Sequence, residues 1–392
     1  MAAVVAPLAG VRLAIAVTAS RSADFYAGQL AALSHAGASV WFLSSPSSEV
    51  EAQCASEGAA FVPIAIERAP APWSDVRALV AVDRALRRIR PELVVAGTPK
   101  MGLLAMVAAA AQRIPVRVHT LHGLRYETTR GAIRGALWTA QRVSCAAATH
   151  VVCVGPSLRA RARASHLLGP TEGIVIGDGS VNGIDVGHYR ADGPTLAAGQ
   201  ALRARLGIPP ATTVVGYLGR LARDKGIGDL RRAWTSTRNA DRRLLIGGTL
   251  DETDRPEVED LVALEADPTV RLLGHVDDAA TFLAALDVLV LPTWREGFPT
   301  VPLEAAAMGI PVVATHATGC ADAVVDGVTG TLVPVHDAAA LAVAIDQYVR
   351  DPGLRVRHGA EGAARVRAHF SRERVHRATI ETYRTLVTRA TP

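Results

Sequence analysis

Short apolar runs alternate with longer amphipathic segments along most of the 392-residue chain. The runs are rich in Val, Ile and Leu and are bounded by breakers such as Gly, Pro and Asp, whereas the segments between them are rich in Ala, Leu and Arg. Such alternation is typical of parallel strands joined by helices. The sequence therefore predicts an α/β protein with parallel sheets.

The first half of the chain contains a nearly unbroken series of these elements. The predicted strands are 12–17, 39–43, 60–64, 93–96, 117–121, 150–154 and 173–176. The predicted helices are 26–36, 73–90, 101–112 and 133–147.

The pattern stops and restarts in the middle of the chain. Residues 178–200 are rich in Gly, Asp and Asn, and the segment 202–206 follows them. The predicted strands then resume at 213–218, 244–247, 270–273, 288–291, 312–315 and 330–333, and a last amphipathic helix is predicted at 372–389. We therefore predict two Rossmann-like domains, 1–185 and 186–371, with the C-terminal segment 372–392 packing back on the first. Ligands bind at the carboxyl ends of the strands in this architecture, so a cleft between the domains is the expected site.

Composition removes several classes of function. Hydrophobic residues make up 49% and charged residues 20% of the chain, as in ordinary globular proteins. The net charge is +5, but aromatic residues are only 4% and do not alternate with basic ones, so nucleic acid is not an expected partner. The four cysteines lack metal-ligand spacing and favour reduced thiols. The longest weakly polar run, 101–111, is too short to span a bilayer, and a cytoplasmic protein is expected.

The most informative motif is the segment from Glu296 to Glu304, which lies between a predicted strand and a predicted helix. Thr300 is expected to cap that helix and Pro302 suits its first turn, so the loop would direct backbone N–H groups at an anion such as a diphosphate. The two carboxylates can accept hydrogen bonds from sugar and ribose hydroxyls. The simpler alternative is a solvated loop acid and a first-turn acid favoured by the helix dipole.

A second motif follows the predicted strand 213–218. Gly219 permits close approach of a ligand, Arg220 can bind phosphate oxygens in a fork, and Lys225 adds a compact positive charge. Together these side chains could neutralise a departing diphosphate without a metal. Taken alone, the same residues could form an ordinary surface turn.

These motifs, taken in order, resemble the signature of family 4 glycosyltransferases of the GT-B fold. The matching residues are the run 182–185 (Asn-Gly-Ile-Asp), Gly219-Arg220 with Lys225-Gly226, and the pair Glu296 and Glu304 separated by seven residues. The resemblance implies retention of anomeric configuration and a nucleoside-diphosphate sugar as co-substrate, with UDP as the expected nucleotide. It implies no other cofactor and no metal. It also implies that the leaving diphosphate helps to deprotonate the acceptor.

Roles for individual residues follow from the resemblance. Arg220, Lys225, Glu296 and His122 are the expected catalytic residues. The expected donor-binding residues are Gly219, His275, Val276, Gly297, Phe298, Pro299, Thr300, Leu303 and Glu304.

In the first domain, His122 follows the strand 117–121 and is similar to the histidine that the family places at its cleft, whereas His119 is expected to be structural. Lys100 follows another strand and could touch an acceptor or a phosphate. Many members carry a Gly-Gly pair in the first strand-helix loop, but this chain has Ser20, Arg21 and Ser22 there. These three residues and Lys100 are the candidates for the acceptor side.

Two alternatives stay open at this stage: a nucleotide-sugar epimerase of the same fold and a silent scaffold subunit. The base, the sugar and the acceptor are also open. The nucleobase is expected near the run 273–276, which does not distinguish uracil from guanine or adenine. The arginine-rich composition is compatible with peripheral association with the inner face of an anionic membrane that carries a lipid-linked acceptor, or it is only a compositional bias. A soluble saccharide or small-molecule acceptor is equally admissible.

Overall fold

The computed structural model describes residues 6–67, 71–169, 172–236 and 241–390, and of Arg21 it describes only the backbone. The chain divides into two compact units, Met1–Gly183 with Glu373–Pro392 and Ile184–Arg372. Each unit contains one six-stranded sheet whose paired strands are all parallel. The predicted α/β class with two Rossmann-like folds is confirmed.

The first sheet is built from strands that alternate with helices along the chain. Its strands are β1 (Arg12–Ala16), β2 (Ser39–Ser44), β3 (Ala60–Pro63), β4 (Leu93–Ala96), β5 (Val116–Leu121) and β6 (His150–Cys153). Their order in the sheet is β3-β2-β1-β4-β5-β6. The helices are α1 (Gln29–His35), α2 (Ser48–Ser56), α3 (Pro72–Ile89), α4 (Pro99–Ala111), α5 (Gly131–Ala147) and α6 (Pro156–Ala164), with short 3-10 turns at Ser20–Tyr26 and Arg125–Thr128.

Both faces of the first sheet are buried, as a parallel sheet requires. On β1, Leu13 and Ile15 point into one core cluster, whereas Ala14 and Ala16 point into the other. The first cluster includes residues of α1, and the second includes residues of α3 and α4. The alternation of side chains along β1 therefore supplies both cores.

The second sheet repeats this topology. Its strands are β7 (Thr213–Leu218), β8 (Arg242–Gly247), β9 (Val270–Gly274), β10 (Val288–Leu291), β11 (Val312–Thr315) and β12 (Gly330–Val333), in the order β12-β11-β10-β7-β8-β9. The helices are α7 (Gly193–Arg205), α8 (Ile227–Ser236), α9 (Val258–Ala266), α10 (Ala279–Ala284), α11 (Thr300–Ala307), α12 (Cys320–Ala323), α13 (Ala338–Arg350) and α14 (Pro352–Arg365), with a 3-10 turn at Arg223–Lys225 and a π-helical turn at Val366–Phe370. Counted from its own first strand, each sheet has the order 3-2-1-4-5-6.

The last helix, α15 (Arg372–Ala390), contributes Tyr383 and Leu386 to the core on the α1 side of the first sheet. Within the same unit, His376 of this helix hydrogen-bonds Asn182 at 2.8 Å, and Asn182 donates to the Ala27 carbonyl at 2.8 Å. Burial of one helical face and these polar contacts fix the helix to the first unit.

Three predicted elements differ from the structure. The predicted strand 173–176 is only an isolated bridge between Ile174 and Val152. The predicted helix 26–36 begins at Gln29, because Gly28 adopts φ 74° after the 3-10 turn. The interruption at 178–200 is shorter than predicted, because Asp192 accepts a hydrogen bond from the Thr195 N–H and starts α7.

In the described ranges, no helix combines the length and the apolar content that crossing a membrane requires.

Candidate active site

The loops that follow β7 and β10 are locked together in the second unit. The Asp224 carbonyl accepts hydrogen bonds from the Trp294 N–H at 2.8 Å and from the Thr293 hydroxyl at 3.2 Å. The buried Asp224 carboxylate also accepts from the Arg295 guanidinium at 2.7 Å. Because β7 and β10 are neighbours in the sheet, these bonds join two strand ends that are far apart in sequence.

Lys225 and Glu296 form an ion pair across this junction, and only 16% of each side chain is exposed. Gly226 makes the approach possible. Its φ is +73°, and a Cβ there would overlap the Pro292 carbonyl oxygen. The two motifs therefore meet through side chains and through a backbone contact that only glycine permits.

Arg220 forms an ion pair with the buried carboxylate of Asp251. Thr253 holds the other oxygen of that carboxylate with its N–H at 2.9 Å and its hydroxyl at 2.7 Å. The Arg220 side chain is 40% exposed, and its guanidinium retains donors for a second acceptor. Asp251 thus orients Arg220 and leaves part of its fork accessible.

The buried Tyr217 is close to one residue of each ion pair, Arg220 and Glu296. Its hydroxyl donates to the Arg220 carbonyl at 2.6 Å. Burial raises the Tyr217 pKa above its usual range, and the charge of Glu296 raises it further while that of Arg220 opposes the rise. Glu296 and Arg220 are therefore both close enough to act on one buried hydroxyl.

Helix α11 begins at Thr300, directly after the loop that carries Glu296. The predicted cap by Thr300 is wrong, because the N-cap residue is Pro299 and has no side-chain cap bond. Thr300 is the first helical residue, and its hydroxyl hydrogen-bonds Glu304 one turn later. Pro302 lies in the first turn as predicted. With no side-chain cap, the first-turn amides keep their capacity to bind an anion.

Glu304 occupies a partly buried position on α11. Burial raises its pKa to about 7, and this effect outweighs the hydrogen bond from Thr300, the charge of Arg372 and the hydrogen bond from Tyr189. Arg372 is itself paired with Asp185 at 3.0 Å. The carboxyl group is therefore surrounded by donors but titrates near neutral pH.

The remaining residues predicted to bind a donor differ in accessibility. Gly297 and Pro299 are buried, Phe298 packs on Phe370 with ring centroids 5.6 Å apart, and Leu303 is fully buried. The side chains of Phe298 and Leu303 therefore belong to the core of the unit. Contact of this segment with a ligand is left to the backbone and to Thr300.

Glycines lie at the ends of β7, β8 and β9 and are joined by backbone hydrogen bonds. The Gly219 N–H donates to Gly247 at 3.0 Å, and the Gly248 N–H donates to Gly274 at 2.6 Å. His275 and Val276 follow directly, and the His275 side chain is 73% exposed. We refer to these glycines as the glycine floor, which is adjacent in sequence to Arg220 on one side and to His275 on the other.

In the first unit, His122 stacks on Phe25 with ring centroids 5.7 Å apart and lies against Gly97. Both ring nitrogens are buried and have no hydrogen-bond partner among the described residues. Burial lowers the His122 pKa to about 4, so the imidazole is neutral at physiological pH. His119 instead contacts the Ala96 carbonyl at 3.1 Å and Gln141 at 2.6 Å, which are structural bonds.

Among the described residues, the acceptor-side candidates Ser20 and Lys100 contact different partners. Ser20 and Ser22 lie in the 3-10 turn, where the Ser20 N–H donates to Ser45 Oγ at 3.0 Å. Lys100 at the start of α4 is ion-paired with Asp75 of α3 at 2.5 Å. The side chain of Arg21 lies outside what the structure describes.

Sequence reasoning missed several residues of the site. Asp251, Asp224 and Arg295 hold the predicted cations and their loops, and Tyr189 contacts Glu304. None of them carries a spacing signal, although Asp224 and Arg295 are direct neighbours of predicted residues. Across the described parts of the chain, no group of three or more His, Cys, Asp or Glu side chains is arranged to hold a metal.

Comparison with known proteins assigns the family. Residues 212–351 match the family model described as glycosyl transferases group 1, and residues 23–179 match the glycosyl transferase 4-like domain. The chain is 32% identical over 357 residues to the capsular polysaccharide biosynthesis glycosyltransferase CapM of Staphylococcus aureus, covering 91% of this chain and 92% of CapM. A D-inositol 3-phosphate glycosyltransferase of Salinispora arenicola is 34% identical over 51% of this chain and 48% of its own length.

Solved structures share the whole fold. A sucrose-phosphate synthase from Thermosynechococcus elongatus superimposes with a TM-score of 0.78 at 22% identity, covering 97% of this chain and 100% of that one. The Anabaena protein HepE, in complex with UDP and glucose, gives a TM-score of 0.79 at 18% identity, covering 96% and 100%. The sequence matches and the shared architecture together show that this chain belongs to the GT4-type glycosyltransferases of the GT-B fold.

Proposed function

We propose that the enzyme is a metal-independent, retaining glycosyltransferase that moves a hexosyl or N-acetylhexosaminyl group from a nucleoside-diphosphate sugar to an acceptor hydroxyl. UDP is the nucleotide that we propose for the donor. The observation that carries this proposal is the Lys225–Glu296 pair beside the uncapped start of α11. A cation, a carboxylate and a helix start without a side-chain cap therefore meet at one pair of strand ends. These are the groups that a sugar diphosphate requires.

The diphosphate is assigned to Lys225, Arg220 and the first-turn amides of α11. As the bond from the anomeric carbon to the phosphate oxygen breaks, negative charge grows on the leaving diphosphate. Fixed cations stabilise that charge without reorganising. Because Glu296 and Asp251 already orient the two cations, the site is positioned before the donor arrives.

The sugar and the ribose are assigned to the two carboxyl groups. Glu296 accepts hydrogen bonds from hydroxyls of the donor sugar, and Glu304 accepts them from the ribose diol. The base lies on the glycine floor beside His275 and Val276. HepE, which shares this fold, was crystallised with UDP-glucose and with UDP and glucose, and those complexes support a nucleotide-sugar donor.

The acceptor is assigned to the first unit, with neutral His122 as the residue that hydrogen-bonds the transferred sugar or orients the acceptor. The proton of the acceptor hydroxyl passes to the departing diphosphate as the new glycosidic bond forms. Similarity to CapM over nearly the full chain supports a saccharide acceptor in polysaccharide assembly.

A nucleotide panel tests the donor assignment. Thermal unfolding of the full chain is measured with UDP, GDP, ADP and TDP at equal concentration. We expect UDP to raise the unfolding temperature most, because a ligand that binds only the native state stabilises it by RT ln(1 + L/Kd), where L is the free ligand concentration, and at equal concentration this is largest for the tightest ligand. Equal shifts for all four nucleotides would remove the base preference, and no shift for any would remove the diphosphate site.

Product analysis tests the reaction. The enzyme is incubated with the donor that binds best and a panel of saccharide and lipid-linked acceptors, with and without EDTA, and the linkage is read by NMR. We expect a retained anomeric configuration and the same rate in EDTA. An inverted linkage or a chelator-sensitive rate would contradict the proposed chemistry, and an epimerised free donor formed without acceptor would indicate the rival epimerase activity.

A further inference from the structure

Helix α3 carries an exposed stripe that its own unit does not use. Trp73 is 83% exposed, Val76 is 56% exposed and Val80 is 41% exposed, while the opposite face of the helix is buried. The stripe continues into exposed Arg84 and Arg88. A tryptophan is usually well buried, so exposure of this degree marks a contact surface.

The two helices that follow extend the same feature. Helix α4 packs between α3 and α5. Val107 of α4 and Ile133 and Val143 of α5 are exposed. Six of the fifteen exposed large hydrophobic side chains of the described residues thus lie on these three helices. We refer to the exposed residues of α3, α4 and α5 as the α3–α5 face.

Charge is concentrated in the same stretch. Residues 72–147 contain twelve Arg or Lys and four Asp or Glu, whereas the whole chain has a net charge of only +5, so the rest of the chain is net negative. Asp75 and Asp83 are already paired with Lys100 and Arg87. The three helices themselves contain seven Arg or Lys and two Asp or Glu, so the α3–α5 face is basic where it is also apolar.

We propose that the α3–α5 face docks the first unit onto a bilayer that contains anionic phospholipids. Exposed Trp and Val insert at the level of the headgroups, where an indole ring has both apolar and polar neighbours. The arginines bind lipid phosphates in forks and keep their charge in water. Nucleic acid lacks a matching apolar surface for the valines. The inference concerns the first unit alone and does not depend on the donor site.

Vesicle sedimentation of the full chain tests this proposal. We expect binding to vesicles of phosphatidylcholine with phosphatidylglycerol, weak binding to phosphatidylcholine alone, and release by salt, because lipid charge contributes about fivefold in affinity per basic residue at the surface. Equal binding to both vesicles, or binding to neither, would overturn the proposal and would leave this face to an acidic protein partner.

Matched variants locate the contact. Arg84→Gln with Arg88→Gln removes two charges from the face, and Arg350→Gln with Arg357→Gln removes two exposed charges from the second unit. We expect the first pair to weaken vesicle binding at least tenfold and the second to change it about twofold or less. An equal loss in both pairs would show that net charge alone drives binding and would contradict a defined face.

Trp73 supplies a direct readout. Brominated lipids quench tryptophans that enter the headgroup region, and the chain has five tryptophans. We expect quenching in the native protein and its loss in Trp73→Phe, with an unchanged unfolding temperature because the side chain is exposed. Quenching that persists in Trp73→Phe would place the inserted residue elsewhere and reject the stripe.

Discussion

The two units share a strand order but treat the same two loops in opposite ways. In each sheet the first and fourth strands are neighbours, β1 with β4 and β7 with β10. In the first unit the loops after these strands are joined by neutral hydroxyls: Thr18 contacts Thr98 at 2.8 Å and accepts from the Met101 N–H at 3.1 Å. In the second unit the equivalent loops are joined by the Lys225–Glu296 and Arg295–Asp224 ion pairs. We call the first set of contacts the neutral junction and the second set the charged junction.

This difference shows that the side chains of the loops, and not the sheet, determine the chemistry of each unit. The position of the loops follows from strand order, which is the same in both units. The charges do not follow from it, because they depend on side chains that a sheet does not require. A neutral junction offers only neutral hydrogen bonds, whereas a charged junction can exchange one anion for another.

The largest effect is expected from removing the two cations that are assigned to the diphosphate, Lys225 of the charged junction and the nearby Arg220. Lys225→Ala and Arg220→Ala should each reduce kcat by about 10²–10³-fold, as loss of one preorganised electrostatic group does. Arg223→Ala is the matched control, because this residue lies in the same loop with its side chain 53% exposed and weakly paired with Asp254. Steady-state kinetics with saturating donor measures the effect. If Arg223→Ala were as damaging as the other two, general loss of positive charge would explain the result.

The next largest effect is expected from a change in the backbone of the charged junction. Gly226→Ala should lower the free energy of unfolding by about 1–3 kcal/mol more than Gly207→Ala, because it adds a steric overlap to the cost of a positive φ. Gly207 is a suitable control, with φ +65° and open space around its Cβ position. Denaturant unfolding measures both. Equal losses would mean that the Gly226 loop can move away from Pro292 at little cost.

Much of the fold could be predicted from the sequence because parallel strands are continuous apolar runs. The bounds of β4, β7, β10, β11 and β12 agree with the predicted strands to the residue. The elements that were wrong have local causes that the apolar pattern does not record. Gly193 and Pro194 resemble a loop, but the Asp192 side chain makes them a helix start, and residues 173–176 lack the paired neighbours that would complete a strand.

The candidate site could be predicted only in part. Strand order alone places Lys225 and Glu296 at neighbouring ends, so their proximity follows from topology once β7 and β10 are recognised. The partners that hold the site do not follow, because Asp251 and Tyr189 lie in loops where no periodicity selects a side chain. Phe298 and Leu303 were predicted to bind the donor, but their side chains are buried. Position within a motif does not reveal which side chain faces a ligand.

A smaller effect is expected from pH. The native pKa of Glu304 is raised to about 7 by burial, and a carboxylate accepts ribose hydrogen bonds better than a carboxylic acid. Affinity for UDP-glucose should therefore rise by up to about tenfold between pH 6 and pH 8, since one proton must leave before binding. In the free protein, the raised pKa favours the native state at low pH, so stability falls as pH increases toward 7.

Calorimetry of UDP-glucose binding at several pH values measures this dependence, and Glu304→Gln supplies the comparison because it cannot titrate. The variant should bind with an affinity that does not change with pH over the same range. A native profile as flat as that of the variant would separate Glu304 from the ribose and would weaken the contrast between the two junctions.

The smallest effect is expected at the neutral junction of the first unit. Thr18→Val removes the hydroxyl that joins Thr98 to the start of α4 and should lower the free energy of unfolding by about 1 kcal/mol, the net value of a typical hydrogen bond. Thr18→Ser keeps that hydroxyl and should be closer to the native protein. Because this junction carries no charge, UDP-glucose affinity should stay unchanged in both variants. Loss of nucleotide binding in Thr18→Val would show that the two junctions share a role, and the contrast between the units would no longer hold.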